Sequence, residues 1–220
     1  MKKMFIGFLI TLGVLGASLA FNTKTVLAHG YVENPPARGY QGKLDYEKYG
    51  WTTAYNLYGN VITNPQSLEA PKGFPESGPV DGRIASANGG LGQIADFVLD
   101  NQTSDRWKKT TINTGVNQFT WKYTAPHKTT KWHYYMTKTG WDQNAPLKRS
   151  ELELIGTVNH DGSTASNNLT HSITVPSNRS GYHIILAVWD VADTPNAFYN
   201  VIDVNVQNNN MLFGPFAAFE

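Results

Sequence analysis

Two histidines stand where a few residues could assemble chemistry. His29 follows "TVLA" and opens "HGYVENPPARGYQGK", and His127 closes the run "WKYTAPH". If the chain is cut after Ala28, His29 offers two nitrogens from one residue, its α-amine and its imidazole. An α-amine has a pKa of roughly 7.7–8.0, so a metal can displace its proton near neutral pH. The amide nitrogen of an internal histidine cannot do this. One imidazole from elsewhere would complete three nitrogens in a near-planar set, and all-nitrogen, tetragonal ligation favours copper over zinc. His127 follows Pro126 at the end of a strand-like run, which places it at an edge where loops build sites.

The other histidines read as structural. His133, His171 and His183 lie inside strand patterns, and His160 in "NHDGS" reads as a turn residue. No HExxH or CxxC spacing is present, and GxSxG is absent. A glycosidase needs two carboxylates placed across a cleft, and none of the 17 acids pairs up by spacing alone.

What precedes His29 reads as an export signal. "MKKM" is a basic start, "FIGFLITLGVLGASLAF" an apolar run, and "NTKTVLA" a polar patch ending in a small residue. A membrane anchor is the alternative, since the apolar run approaches the roughly 20 residues a span needs. Two cut positions fit the local pattern, after Ala20 and after Ala28. Removal of residues 1–28 takes away Lys2, Lys3 and Lys24 and no acid, so a net charge of +1 becomes −2. Such a domain is no nucleic-acid binder, which would need concentrated Lys and Arg. It carries no cysteine, so its stability outside the cell must come from core packing. The 11 Tyr, 10 Phe and 6 Trp of the full chain, beside many Asn and Thr, suit a neutral target.

The elements that must position these residues are mostly strands. "NQFTWKYTA" (117–125) alternates Phe119, Trp121 and Tyr123 with polar residues, the period of a half-buried strand. Runs at 130–138, 151–158, 170–176, 181–191 and 198–206 follow, separated by "HDGS", "PSNRSG" and "ADTPNA". The spacing predicts an antiparallel β-sandwich. Residues 29–109 lack regular alternation and read as a large insertion, with a short helix expected within 86–100 from Ile94, Phe97 and Val98. Trp121, Tyr123 and Trp189 are expected in the core, whereas Tyr31, Tyr40 and Tyr58 could be core or surface. The tail 207–220, "QNNNMLFGPFAAFE", fits no strand.

Long runs resemble one family. "HGYVENPPARGYQGK", "NPQSLEAPKGFPESGPVDGRIASA", "TSDRWKKTTINTGVNQFTWKYTAPH", "WHYYMTKTGWD" and "RSGYHIILAVWDVADTPNAFYNVIDVNV" are similar, in order, to bacterial chitin-active lytic polysaccharide monooxygenases of auxiliary activity family 10, once classed as chitin-binding proteins. The likeness covers residues 29–206 and favours the cut after Ala28. It implies a fibronectin III- or immunoglobulin-like sandwich with a large loop and short-helix insertion after the first strand. It also implies one copper ion held by His29 and His127. Phe198 and Ala125 match residues on the two axial sides of the metal, Glu69 an acid beside it, and Trp189 a core tryptophan nearby. Thr124, Asp193 and Asn196 match polar residues on a flat substrate face.

The implied protein is a secreted, extracellular monomer that leaves no membrane segment once the signal is removed. Its partners would be a crystalline chitin surface and an external reductant, with dioxygen or hydrogen peroxide as co-substrate. The chain would be cut oxidatively at the anomeric carbon. A non-catalytic chitin binder and the same chemistry on cellulose are the alternatives. The sequence departs from the family pattern at Gly42, where a cysteine is frequent, at Thr63, where a surface aromatic is frequent, and in the tail.

Overall fold

The computed structural model describes residues 28–208. The expected export signal, apart from Ala28, and the tail beyond Asn208 lie outside the described residues. Among the described residues nine strands form two sheets: β1 (His29–Asn34), β2 (Glu69–Pro71), β3 (Thr110–Asn113), β4 (Gly115–Ala125), β5 (Thr129–Thr137), β6 (Leu152–Asn159), β7 (Thr170–Val175), β8 (Gly181–Val191) and β9 (Asn196–Gln207). One sheet runs β1-β4-β7. The other runs β2-β9-β8-β5-β6, with β3 also on β9. All pairings are antiparallel except that of β3 with β9. This is the sandwich expected from the strand spacing, and Gln207 extends the last strand one residue past the expected boundary.

The apolar run of β8 is explained by burial on both faces. Ile185, Ala187, Trp189 and Val191 point between the sheets, while Ile184, Leu186 and Val188 point to a second core under the insertion. β9 divides likewise, with Phe198, Ile202 and Val204 inward and Ala197, Tyr199 and Val201 toward the insertion. A strand covered on one side only would have alternated with polar residues.

Two helices, α1 (Arg38–Tyr49) and α2 (Trp51–Tyr58), occupy the insertion. Gly50 joins them at φ 83°, a left-handed conformation that favours glycine. The glycines inside α1 hide it from a sequence reading but serve packing: a Cβ on Gly42 would sit 2.8 Å from the Tyr58 ring. Tyr31 and Tyr58 are buried, and Tyr40 stacks on Tyr31 at 4.4 Å. Arg38, at the start of α1, is buried with Asp203 of β9 at 2.6 Å, and it donates to the Leu99 carbonyl and to Gln102. This pair ties the insertion to the large sheet.

The helix expected within 86–100 does not form. One turn spans Ala87–Gly90, a 3₁₀ turn spans Val98–Asp100, and only Ile94 of the three marker residues is fully buried. Gly89, Gly90 and Gly92 take positive φ, as do Asn88, Leu91 and Ala95, so the glycines redirect the backbone where the apolar spacing alone suggested a helix.

Candidate metal centre

His29 opens β1, and the register of β1 on β4 sets it opposite Ala125. Two residues beyond Ala125, the chain has left the sheet through Pro126 and reached His127. Gly30 lets the start of β1 lie flat on the core: a Cβ there would meet Tyr123 Cδ1 at 2.8 Å and Trp189 Cζ3 at 3.2 Å. Burial pushes the Tyr123 phenol well above its ordinary range, so it stays neutral beneath the site.

Each imidazole has one nitrogen engaged. His127, 6% exposed, has Nδ1 3.1 Å from Oδ1 of Asp193, a residue of the β8–β9 turn. Its carbonyl accepts a hydrogen bond from the Thr129 hydroxyl, which in turn accepts one from Trp189 Nε1 at 2.8 Å. His29 has Nε2 3.2 Å from Oε1 of Gln93. That leaves Nε2 of His127 and Nδ1 of His29, and Nδ1 is the ring nitrogen nearer its own main-chain nitrogen.

A second group meets the first at Trp189. Glu69 opens β2 opposite Phe198 of β9. Phe198 stacks on Trp189 with ring centroids 4.9 Å apart. Asn196 Nδ2 donates to Glu69 Oε1 at 2.8 Å, while Glu69 Oε2 is buried without a partner. An unpaired buried carboxylate oxygen is costly, and it marks a position where a further polar group fits. Of the residues expected on the substrate face, Thr124 is exposed. Asp193 is exposed but holds His127, and half-buried Asn196 is turned toward Glu69. The sequence reading passed over Gln93 and Thr129. No motif marks either: Gln93 sits in a glycine-rich loop and Thr129 looks like any strand residue.

The donor set fits a copper ion. Among the described residues no three His, Cys, Asp or Glu side chains converge to hold a metal. A third donor would have to come from elsewhere, and an α-amine on His29 would supply one in a chain cut after Ala28.

Comparison with known proteins identifies the family of the chain. A family model described as "Lytic polysaccharide mono-oxygenase, cellulose-degrading" matches residues 29–204. The lytic chitin monooxygenase of Enterococcus faecalis is 36% identical over 211 residues, covering 94% of this chain and 100% of that protein. The GlcNAc-binding protein A of Shewanella oneidensis is 44% identical over 209 residues, 94% of this chain but 41% of that protein. The chain thus spans about two fifths of the length of the GlcNAc-binding relatives it matches. Among solved structures, a Bacillus amyloliquefaciens CBM33 protein in complex with Cu(I) superposes with a TM-score of 0.80 at 66% identity, covering 81% of this chain and 100% of that one. The catalytic domain of a Listeria monocytogenes lytic polysaccharide monooxygenase gives 0.71 at 46% identity, covering 82% of this chain and 100% of that one. The chain belongs to the lytic polysaccharide monooxygenase family.

Proposed function

We propose that this monooxygenase is exported, is cut after Ala28, and works outside the cell as a monomer on crystalline chitin. One copper ion would be held by the His29 amine, His29 Nδ1 and His127 Nε2. The observation that carries the reading is the pair of imidazoles at one end of the sandwich, each with one ring nitrogen tied and the other left over. In the uncut chain the His29 nitrogen is a peptide amide, so export processing would itself create a ligand. Among the described residues no helix is long and apolar enough to cross a membrane.

When bound, copper supplies one-electron redox chemistry and activation of dioxygen or hydrogen peroxide. The protein holds its ligands and controls what surrounds them. Asp193 aims His127. Phe198, stacked on Trp189, would offer the ion an apolar neighbour, and Ala125, small and half-buried opposite His29, would leave room beside it. Glu69 presents Oε2, free to hold a proton or accept a hydrogen bond from an oxygen species. The anomeric C–H is converted to C–OH. With dioxygen this takes two electrons from an external reductant and two protons, and the second oxygen leaves as water; with hydrogen peroxide the co-product is also water. The hydroxylated carbon expels the next sugar and leaves a lactone, then an aldonic acid.

A surface centre can reach chains still packed in a crystal, which a cleft cannot. Thr124 and Asp193 supply exposed polar contacts at this end. Chitin is preferred to cellulose because relatives at 36% and 44% identity are named for chitin and for GlcNAc, although the family description names cellulose. The test uses the secreted protein, its intact mass, and its products on β-chitin and on cellulose. The expected result is a chain beginning at His29 that yields aldonic-acid oligosaccharides from chitin only with copper and reductant. Native reducing ends without reductant would indicate a hydrolase, binding without oxidised products a non-catalytic binder, and products from cellulose alone the other substrate.

A further inference from the structure

The glycine-rich loop between the turn at Ala87–Gly90 and the 3₁₀ turn at Val98–Asp100 has one side chain reaching the candidate centre, that of Gln93. The loop is built to hold it still. Gly90 lies so close to the 3₁₀ turn Pro65–Ser67, which leads into Glu69, that a Cβ would collide with the Ser67 carbonyl. The backbone nitrogens of Gln93, Ile94 and Ala95 bond back to carbonyls of Gly90 and Gly89. Asn60 clamps the far side, donating from Nδ2 to the Ile94 carbonyl at 2.9 Å and from its backbone to Asp96 at 2.6 Å. Ile94 anchors the loop in the core at 1% exposure.

We propose that Gln93 is a positioning residue that fixes the tautomer and orientation of the His29 imidazole. Its amide oxygen, Oε1, faces Nε2 at 3.2 Å. A carbonyl oxygen can only accept, so Nε2 must carry the proton and Nδ1 must carry the lone pair. Nδ1 is the nitrogen that can close a chelate ring with the α-nitrogen of the same residue; Nε2 points away from it. Gln93 thereby does for His29 what Asp193 does for His127, and partners of this kind typically tune metal affinity by about 10–100-fold. A neutral amide fixes the proton without adding charge to the centre. The inference rests on the copper reading above.

Nitrogen-15 NMR of the metal-free chain beginning at His29, at about pH 8 and so above the ordinary imidazole range, reads the tautomer directly. The expected spectrum shows His29 protonated at Nε2 only, with that N–H slowed in exchange with water. Gln93→Met keeps the length and removes the acceptor; it should give tautomer-averaged shifts and weaken copper binding by about 10-fold or more. Gln93→Glu keeps the acceptor and should restore the single tautomer. Averaged shifts in the unaltered protein, or identical spectra in the Met variant, overturn the role of Gln93. If the tautomer responds as expected while no variant binds copper, the copper reading fails and the positioning role stands.

Discussion

Nδ1 of His127 lies 3.1 Å from Oδ1 of Asp193, so a residue in the β8–β9 turn aims an imidazole that belongs to the end of β4. Asp193 is exposed and holds nothing else of the site. Asp193→Ala should therefore weaken copper binding by about 10–100-fold and leave the thermal midpoint within a few degrees of the parent. Calorimetric titration of the chain starting at His29 checks it, and an unchanged affinity would show that His127 is oriented by packing alone.

Glu69 offers a complementary prediction. Its Oε1 is held by Asn196, and its Oε2 is buried without a partner beside Phe198. Glu69→Gln keeps the shape but replaces one oxygen with an NH₂ group that can only donate. Loss of a positioned proton carrier typically costs about 10²–10⁴ in rate, so oxidised product from β-chitin should fall far more than copper affinity. Equal losses in both would make Glu69 a support for the metal and remove its part in handling oxygen.

The insertion is fastened to the sheet by a buried ion pair, Arg38 with Asp203. Asp203 also accepts from the Tyr182 hydroxyl at 2.7 Å, and Arg38 stacks over Trp107. Asp203→Asn leaves the guanidinium buried without its counter-charge and should cost about 3–5 kcal/mol of stability. The double variant Arg38→Met with Asp203→Leu should recover much of that loss. Urea unfolding decides the matter, and a single variant as stable as the parent would show that Gln102 and the Leu99 carbonyl suffice for Arg38.

Strands β4 to β9 were legible because their side chains alternate or run apolar between turn residues, as in β4 and β8, whereas β1, β2 and β3, of three to six residues each, are too short to show a pattern. The two candidate histidines drew notice because each sits at a boundary, one after a cleavage pattern and one after a proline that ends a strand, and the structure sets both at one end of the sandwich. α1 was not legible, since Gly39 and Gly42, chosen for close packing against Val61, Leu68 and Tyr58, dilute its pattern. The apolar spacing of Ile94, Phe97 and Val98 misled, because positive φ at the neighbouring glycines decides the path. Gln93 and the amide of Asn196 act across 64 and 127 residues of sequence. A hydrogen bond between such distant residues leaves no local pattern, so only the folded chain reveals it.

His171 gives the protein a pH dependence separate from the metal site. It is 2% exposed and lies tilted against Trp132, with ring centroids 4.6 Å apart. Trp121 Nε1 donates to the Tyr134 hydroxyl, which in turn donates to His171 Nδ1 at 2.6 Å. Burial, with His160 nearby, holds the imidazole down to about 4. The folded chain therefore keeps His171 neutral between about pH 6.5 and 4, while the unfolded chain takes up a proton over that range. The unfolded state binds more protons there, so stability is complete above about pH 6.5 and falls as the pH drops toward 4, by about 3 kcal/mol. Below about 4 this histidine adds no further loss. His171→Gln should lower stability at every pH yet flatten the slope across that window. Urea midpoints at about pH 7, 5.5 and 4 read the slope, and an equally steep fall in the variant would assign the acid sensitivity to other groups.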